Sequence, residues 1–382
     1  MKVLQVSKFY PPEHGGIEAV ARDLSAGLVQ HGVDMSVLCA HTRRAQVHET
    51  DALGVRITRA ASHGMLLSTS IAPSMPGLLR RCAHGVDIVH VHMPDPLAAL
   101  AVWVARPDAK VVLHWHSDVV RQRLARHLYR PLQHWLLQRA DAVIATSQDY
   151  AESSPVLRDW QHKVAVIPIG TAPPLAASTA SVQALRDRHG PRRIVFALGR
   201  MTYYKGYEVI IEAARHLPPD VLVLVGGGGP SLTAYRQRAQ DAGVADHIAF
   251  VGPLSAASVE AHFALAEVFC MASTVRAEAY GVVVAEAMAR GLPVVATRIP
   301  GSGLNWLHQD GITGLAVPVG DAPALAVAVM RLLQDDDLRR RCGQAARARW
   351  AQQLTAQTMC DSTLALYRRL LGGPAADEPA TS

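Results

Sequence analysis

Short runs of apolar, largely β-branched residues recur along almost the whole chain, separated by amphipathic stretches, and this alternation limits the fold more than any other feature. Val3–Val6, Ile88–Val91, Val111–Leu113, Ala142–Ala145, Ile194–Leu198, Val221–Val225 and Val268–Met271 are nearly continuous in their apolar character. A strand wetted on one face alternates polar and apolar residues. A continuous run is instead buried on both faces, as in a parallel sheet covered by crossover helices. The helical stretches between them include Ile17–Gln30, Leu97–Ala105 and about Val120–Arg139, then Tyr207–Arg215, Leu232–Ala242 and Val282–Arg290. The pattern stops at Pro168, Gly170, Pro173 and Pro174 and then begins again, so the linker is placed there. The expectation is an α/β protein with two doubly wound Rossmann-like domains, residues 1–168 and 169–352. A last helix, 353–371, is expected to pack back on the first domain, and the small, polar tail 372–382 to be disordered. Such sheets take ligands at the carboxyl ends of their strands, which points to a central cleft faced by both domains.

Composition closes off several function classes. The longest apolar runs fall far short of the roughly 20 residues that span a bilayer. The first residues, between Lys2 and Lys8, read as a buried strand running into a Pro-Pro turn, not as a signal peptide. Cys39, Cys82, Cys270, Cys342 and Cys360 are odd in number, widely spaced and without a C-x-x-C pair. That speaks against a disulfide framework and for a reducing, cytoplasmic setting. A net charge of +6 suits an anionic partner. Nucleic acid is disfavoured, since no aromatic RNA-binding motif, zinc-finger spacing or dominant basic tract is present.

Several strand-end segments could carry chemistry. Gly15-Gly16 lies between the first strand and first helix, where bare backbone and unpaired N–H groups can meet an anion. Taken alone the pair reads first as a tight β–α turn, and the dinucleotide fingerprint G-x-G-x-x-G is missing. In the second half, Gly199-Arg200…Lys205-Gly206 brings two cations to one strand-end loop, which suits a diphosphate. Glu278-Ala279-Tyr280-Gly281 precedes an apolar helix bearing Glu286, a carboxylate expected to be buried and in need of donors such as ribose hydroxyls. Lys110…His114-Trp115-His116 runs out of a strand, so His114 and His116 point one way and Trp115 the other. His90 and His92 alternate likewise, yet no carboxylate or cysteine stands at ligand spacing, so no metal is expected. Gly226–Gly229 reads as a turn, and Asp335-Asp336-Asp337, beside three arginines, as a helix cap and not a metal-binding D-x-D.

Taken together, these pieces resemble the retaining glycosyltransferases of family 4, which have the GT-B fold. The matching motifs are Gly15-Gly16, His116, Val166-Ile167-Pro168-Ile169-Gly170, Gly199-Arg200…Lys205-Gly206 and Glu278 with Glu286 eight residues on, over roughly residues 1–371. Trp115–Gln122 and Tyr203-Tyr204-Lys205-Gly206 look most like bacterial enzymes that add mannose or rhamnose from GDP-sugars during surface-polysaccharide assembly. Thr171 after Gly170 and the glycine run Gly226–Gly229 depart from the commoner pattern.

The resemblance implies transfer of a hexose, with retention, from a nucleoside-diphosphate sugar, GDP-linked by expectation, to a glycan or lipid-linked saccharide. It implies catalytic roles for His116 and Glu278, His116 near the reacting carbon and Glu278 orienting the sugar. Arg200 and Lys205 would hold the diphosphate and Glu286 the ribose, with Gly15, Gly16, Tyr280 and Gly281 completing the donor site. No cofactor and no metal would be required. A nucleotide-sugar epimerase of related fold and a dinucleotide-binding oxidoreductase are the alternatives.

A basic, apolar-striped helix is the last candidate feature. Arg121, Arg123, Arg126, Arg130 and Arg139 flank a stripe of Leu124, Leu128, Leu132, Trp135 and Leu136, with no acidic residue between Asp118 and Asp141. A core-facing helix has this pattern, and so does a surface for anionic lipid on the inner face of the cytoplasmic membrane.

Overall fold

The computed structural model describes residues 1–13, 15–118 and 123–373. One compact unit comprises Met1–Ala172 and the segment that starts at Ala356. It opens with β1 (Lys2–Ser7), α1 (Gly16–Gln30), β2 (Asp34–Ala40), β3 (Val47–Thr50) and β4 (Arg56–Ala60). A small hairpin, β5 (Met65–Leu66) and β6 (Thr69–Ser70), leads to α2 (Met75–Cys82), β7 (Ile88–Met93) and α3 (Pro96–Ala105). β8 (Lys110–Trp115), α4 (Arg123–Arg139), β9 (Ala142–Ala145), α5 (Gln148–Ser153) and β10 (Val164–Val166) complete the alternation. The sheet order is β10-β9-β8-β7-β1-β2-β4-β3, parallel except for β3 against β4. Strands β7, β8 and β9 are buried almost throughout, the burial on both faces that their unbroken apolar runs require.

The other unit, Pro173–Thr355, begins with α6 (Thr179–His189), β11 (Arg193–Leu198), α7 (Tyr207–Ala214) and β12 (Val221–Gly226). It continues through α8 (Leu232–Asp241), β13 (Ile248–Gly252), α9 (Ala256–Leu265), β14 (Val268–Met271) and α10 (Val282–Ala289). β15 (Val294–Arg298), α11 (Leu304–Leu307), β16 (Gly314–Pro318), α12 (Ala322–Gln334) and α13 (Asp336–Gln353) finish it. Its sheet runs β13-β12-β11-β14-β15-β16 and is parallel throughout. The order reverses at β11, and a ligand crevice is expected at the carboxyl end of the strands on either side of such a reversal. In the first sheet the reversal lies at β1 and β7.

The final helix α14 (Ala356–Leu370) belongs to the first unit and lies on α1. Gly27 permits that approach, because a Cβ there would collide with Cys360 Sγ. The changeover between units falls after Ala172, four residues beyond the expected boundary. Ile167 and Ile169 are buried, and the Thr171 carbonyl accepts the Ala356 N–H at 2.9 Å, which holds the linker to the returning chain. Residues 374–382, most of the tail, lie outside the described residues. Asp335 caps α13 by accepting the Leu338 N–H at 2.8 Å, so the aspartate run does the work of a cap. All five cysteines are free.

Candidate active site

The second unit's strand ends bring two loops together through backbone alone. Gly199 donates its N–H to Gly226 O at 3.1 Å, and Met201 donates to Gly228 O at 2.8 Å. A Cβ on Gly227 would collide with Gly199 O, and one on Gly229 with the Met201 backbone. The glycine run is therefore a close-packing requirement of the loop that carries Arg200 and Lys205. Gly206 takes a left-handed conformation (φ 67°) at the start of α7, where a Cβ would strike Ala272 O.

Lys205 and Glu278, assigned separately from sequence, meet each other. Lys205 Nζ lies 2.6 Å from Glu278 Oε2, which also accepts from Ser273 Oγ at 2.9 Å, and both partners are largely buried. Burial pulls the Lys205 pKa down, but the carboxylate of Glu278, helped by Tyr204 and Glu286, more than reverses this and raises it. The ammonium is thus kept charged in a partly dry place, the condition under which a cation binds phosphate strongly. Arg200 is exposed, and among the described residues it makes no hydrogen bond or ion pair.

Glu286 corrects the sequence reading: it is half-buried, not buried. The carboxylate that the fold does bury beside α10 is Glu260 on α9, gripped by Arg290, whose Nε sits 2.8 Å from Glu260 Oε2. Periodicity cannot separate the two, because both lie on apolar helices. Gly281, at φ 90°, starts α10 and is crowded by Leu304 and Met271, while Tyr280 is buried against Trp306.

In the first unit the register of β7 on β8 sets His92 opposite His114. Three imidazoles, His92, His114 and His116, then stack beside the carboxyl end of the sheet, and His90 meets His92 at a tilt and His114 edge-on. His114 and His116 are 4.3 Å apart at 15°, and His92 and His116 are 5.1 Å apart at 12°. His92 Nδ1 hydrogen-bonds His116 Nε2 at 2.8 Å, His90 Nε2 meets His114 Nδ1 at 3.3 Å, and Tyr367 of α14 bonds His90 Nδ1 at 2.6 Å. Burial, reinforced for His116 by His114 and His90, drives the pKa of His116 well below the ordinary 6.5. His114 falls to about 3 through burial alone. At neutral pH these rings are uncharged, so His116 can act through a hydrogen bond but not as a resident cation. His90, His92 and His114 each bring one ring nitrogen within 4.8 Å of the other two, a juxtaposition that spacing along the sequence does not reveal.

Gly15 and Gly16 are both exposed. A Cβ on Gly15 would strike the Glu18 carboxylate, whereas one on Gly16 would meet nothing within 4 Å. The start of α1 thus already has a carboxylate beside it, and a phosphate there would have to displace Glu18. Among the described residues no contact demands the bare Gly16.

Residues 15–170 match the glycosyl transferase 4-like domain, and residues 183–349 match the glycosyl transferases group 1 domain. The chain is 31% identical, over 97% of its length and 99% of the relative's, to the O-antigen chain mannosyltransferase C of Escherichia coli. The chain belongs to this glycosyltransferase family. It is likewise 31% identical to the D-rhamnosyltransferase WbpZ of Pseudomonas aeruginosa, covering 93% of each chain. A GDP-mannose-dependent phosphatidylinositol monomannoside mannosyltransferase of Mycolicibacterium smegmatis is 30% identical, over 91% of this chain and 93% of that one. Sucrose-phosphate synthase from Thermosynechococcus elongatus has the same fold, with a TM-score of 0.81 at 23% identity, 97% of this chain and 99% of that one being covered.

This glycosyltransferase has the GT-B fold, two Rossmann-like α/β domains. Within the second unit its sheet gathers Arg200, Lys205, Glu278, Tyr280, Gly281 and Glu286 around the ends of β11 and β14. Gly15, Gly16 and His116 follow β1 and β8 of the first. Ser273 and His92 are both hydrogen-bonded to candidate residues. His92 shows in the sequence as an alternating strand-end histidine, though not as the partner of His116, and Ser273 carries no motif at all.

Proposed function

We propose that the enzyme transfers a mannosyl- or rhamnosyl-type hexose from a GDP-sugar, with retention of configuration, to a glycan or lipid-linked saccharide. The near-complete alignment at 31% identity with an O-antigen mannosyltransferase carries this reading, and the rhamnosyltransferase and the GDP-mannose-dependent relative support it. In the proposed mechanism Arg200 and Lys205 hold the donor diphosphate, and Glu286 meets the ribose. As the sugar–phosphate bond breaks, charge grows on the departing diphosphate, and fixed cations favour that state over the ground state. Glu278 fixes Lys205 and orients the sugar, Tyr280 and Gly281 shape the donor site, and neutral His116 hydrogen-bonds the sugar near the reacting carbon. Gly16, left bare, admits the substrate, while Gly15 contributes to the phosphate cradle only if Glu18 swings away. No metal takes part in the transfer. A panel of GDP-mannose, GDP-rhamnose and UDP-glucose with a saccharide acceptor tests the reading, with the product's anomeric configuration read by NMR. Turnover confined to UDP-glucose, an inverted linkage, or an epimerised donor without transfer would each refute it.

We also propose that the enzyme works on the inner face of the cytoplasmic membrane, docking through a layer of three adjacent helices. No described helix is long and apolar enough to cross a membrane. Helices α2, α3 and α4 pack side by side and contain no acidic residue. They expose Leu100, Trp103, Val104 and Leu128 beside Arg80, Arg81, Arg106 and Arg130. The apolar stripe expected on α4 is corrected in part. Leu128 is 86% exposed, Leu132 and Trp135 are half-buried, and Leu136 is buried with Tyr129 and Leu137. Arg139 is tied to Asp141 and to the Pro107 and Ala109 carbonyls and so leaves the basic set. Arg121 and the side chains of Arg123, Leu124 and Arg126 lie outside the described residues. Each basic residue near an anionic surface adds about 1 kcal/mol. Sedimentation with phosphatidylglycerol-containing vesicles at low salt should retain the wild type, and the Trp103→Ala, Arg130→Glu variant less. Equal retention on pure phosphatidylcholine would refute this surface.

A further inference from the structure

Two buried rings of the histidine stack, His92 and His114, leave Nε2 unmatched among the described residues, and of the two His92 is the one bonded to His116. His92 is 2% exposed, its Nδ1 faces His116 Nε2, and its Nε2 has no partner among the described residues. Burial, reinforced by the neighbouring His90, His116 and His114, keeps His92 neutral, so the ring holds one proton and has two places to put it. On Nε2 the proton would be a buried N–H with nothing to receive it. On Nδ1 it donates to His116 Nε2 and leaves only a lone pair unmatched. An orphaned buried N–H is the rarer outcome in folded proteins. A His116 ring that accepts at Nε2 and is itself neutral must carry its own proton on Nδ1.

We propose that His92 is a positioning residue that fixes His116 as the Nδ1–H tautomer, so that His116 offers a hydrogen-bond donor, not a base, to an oxygen of the bound sugar. The proposal rests on the reading that His116 meets the donor sugar. The rest of the stack holds the pair in place. The His114 ring lies flat against His116 on one side, and its Nδ1 is bonded to His90, whose other nitrogen is bonded to Tyr367. Rotation of His116 would have to break the bond to His92 and unstack His114 together. A donor fixed in this way costs no reorganisation when the substrate oxygen arrives. The wrong tautomer at such a position leaves geometry intact and removes function. A metal ion on the same nitrogens is the competing occupant. It would have to take a nitrogen of His90 from His114 or from Tyr367, since both nitrogens of that ring are already bonded, and the three histidines bring no carboxylate to balance its charge.

Nitrogen-15 NMR of histidine-labelled wild-type enzyme tests the tautomer directly, with the His116 signals assigned by their loss in His116→Asn. A protonated Nδ1 and bare Nε2 are expected, and a protonated Nε2 would overturn the proposal. Kinetics supply the second arm. His92→Leu removes the contact, His92→Asn returns an amide near the position of Nδ1, and His92→Gln places one nearer Nε2. The leucine and glutamine variants should lower kcat by about 10- to 100-fold with little change in KM for the donor, and the asparagine variant should recover most of it. His92→Leu combined with His116→Ala should be no worse than His116→Ala alone. Equal losses for all three His92 variants would reduce His92 to a packing residue. If His116→Ala is as active as wild type, the role assigned to His116 fails, while the NMR arm still decides whether His92 sets its tautomer. Stoichiometric zinc, copper or nickel in the purified enzyme, lost on His90→Phe, would overturn the proposal in favour of a metal.

Discussion

The two sheets end in chemically opposite ways. In the first unit the carboxyl ends of β7 and β8 carry imidazoles that burial has stripped of charge, held by bonds to one another and to Tyr367. In the second, β11 and β14 lead into Lys205 and Glu278, both charged and hydrogen-bonded where water is scarce. One end is organised by neutral hydrogen bonds, the other by a salt bridge whose loss leaves a buried charge. The contrast teaches that a Rossmann-like scaffold does not dictate the electrostatics of its strand ends. It fixes where side chains converge, and the residue types decide what kind of site results.

Breaking the charged end should have the largest effect. Lys205→Ala is expected to lower kcat/KM by about 100-fold or more and to destabilise the fold by about 3 kcal/mol, because Glu278 is left buried with only Ser273. Arg200→Ala should match the kinetic loss and spare stability, since Arg200 is exposed. Kinetics and calorimetric melting on both variants check this, and a Lys205→Ala variant as stable as the wild type would show that the lysine pair is not structural.

A division of labour inside the charged end should come next. Glu278→Gln is expected to cut turnover about 10-fold or more while leaving affinity for the free nucleoside diphosphate within a few-fold. Glu286→Gln should weaken that affinity itself by about 10-fold, the scale of one hydrogen bond to a charged group. Titration calorimetry with the nucleoside diphosphate decides, and the reverse pattern would exchange the two roles.

The opposite electrostatics should also appear as opposite pH limits. The histidines have folded-state pKa values below 6.5, so below that pH the unfolded chain binds more protons than the folded one. Stability from the first unit is complete above about pH 6.5 and falls as pH drops, by about 1.4 kcal/mol per pH unit for each such histidine. For His114 the fall continues to about pH 3. Lys205 has the opposite sign: its folded pKa is raised above 10.5, so its contribution is whole below that value and is lost as pH rises through it. Scanning calorimetry from about pH 8 to about pH 5 should show the first unit melting earlier as the pH falls, and a first unit indifferent to pH would contradict neutral burial of the stack.

The smallest expected effect is no effect. With a salt-bridged lysine and an exposed arginine available for the diphosphate, initial rates should be unchanged, within about 2-fold, when Mg²⁺ and Mn²⁺ are removed with EDTA. Loss of activity restored by either ion would mean that the charged end is incomplete without a metal.

Much of this was legible in the chain itself. Continuous apolar runs spelled out the central strands of both sheets, because burial on both faces leaves no room for alternation. Glycines and cations after strand ends mark the loops that follow β1 and β11. The edge strands β3 and β16, the hairpin β5–β6 and the short helices α2, α5, α6 and α11 are not among the expected elements, since none carries a strong periodic signal. The sequence marks Glu278 and Glu286 as candidates, but not that the first takes Lys205 as its partner while the second stays half exposed. Residue type and spacing along one strand therefore determined which elements form and which side chains leave them at the carboxyl ends. Tertiary structure alone decided who meets whom: Lys205 with Glu278, Arg290 with Glu260, His92 with His116. The physical reason is that pairing across strands depends on register and on how closely two backbones approach, and both are set by contacts among residues far apart in the chain.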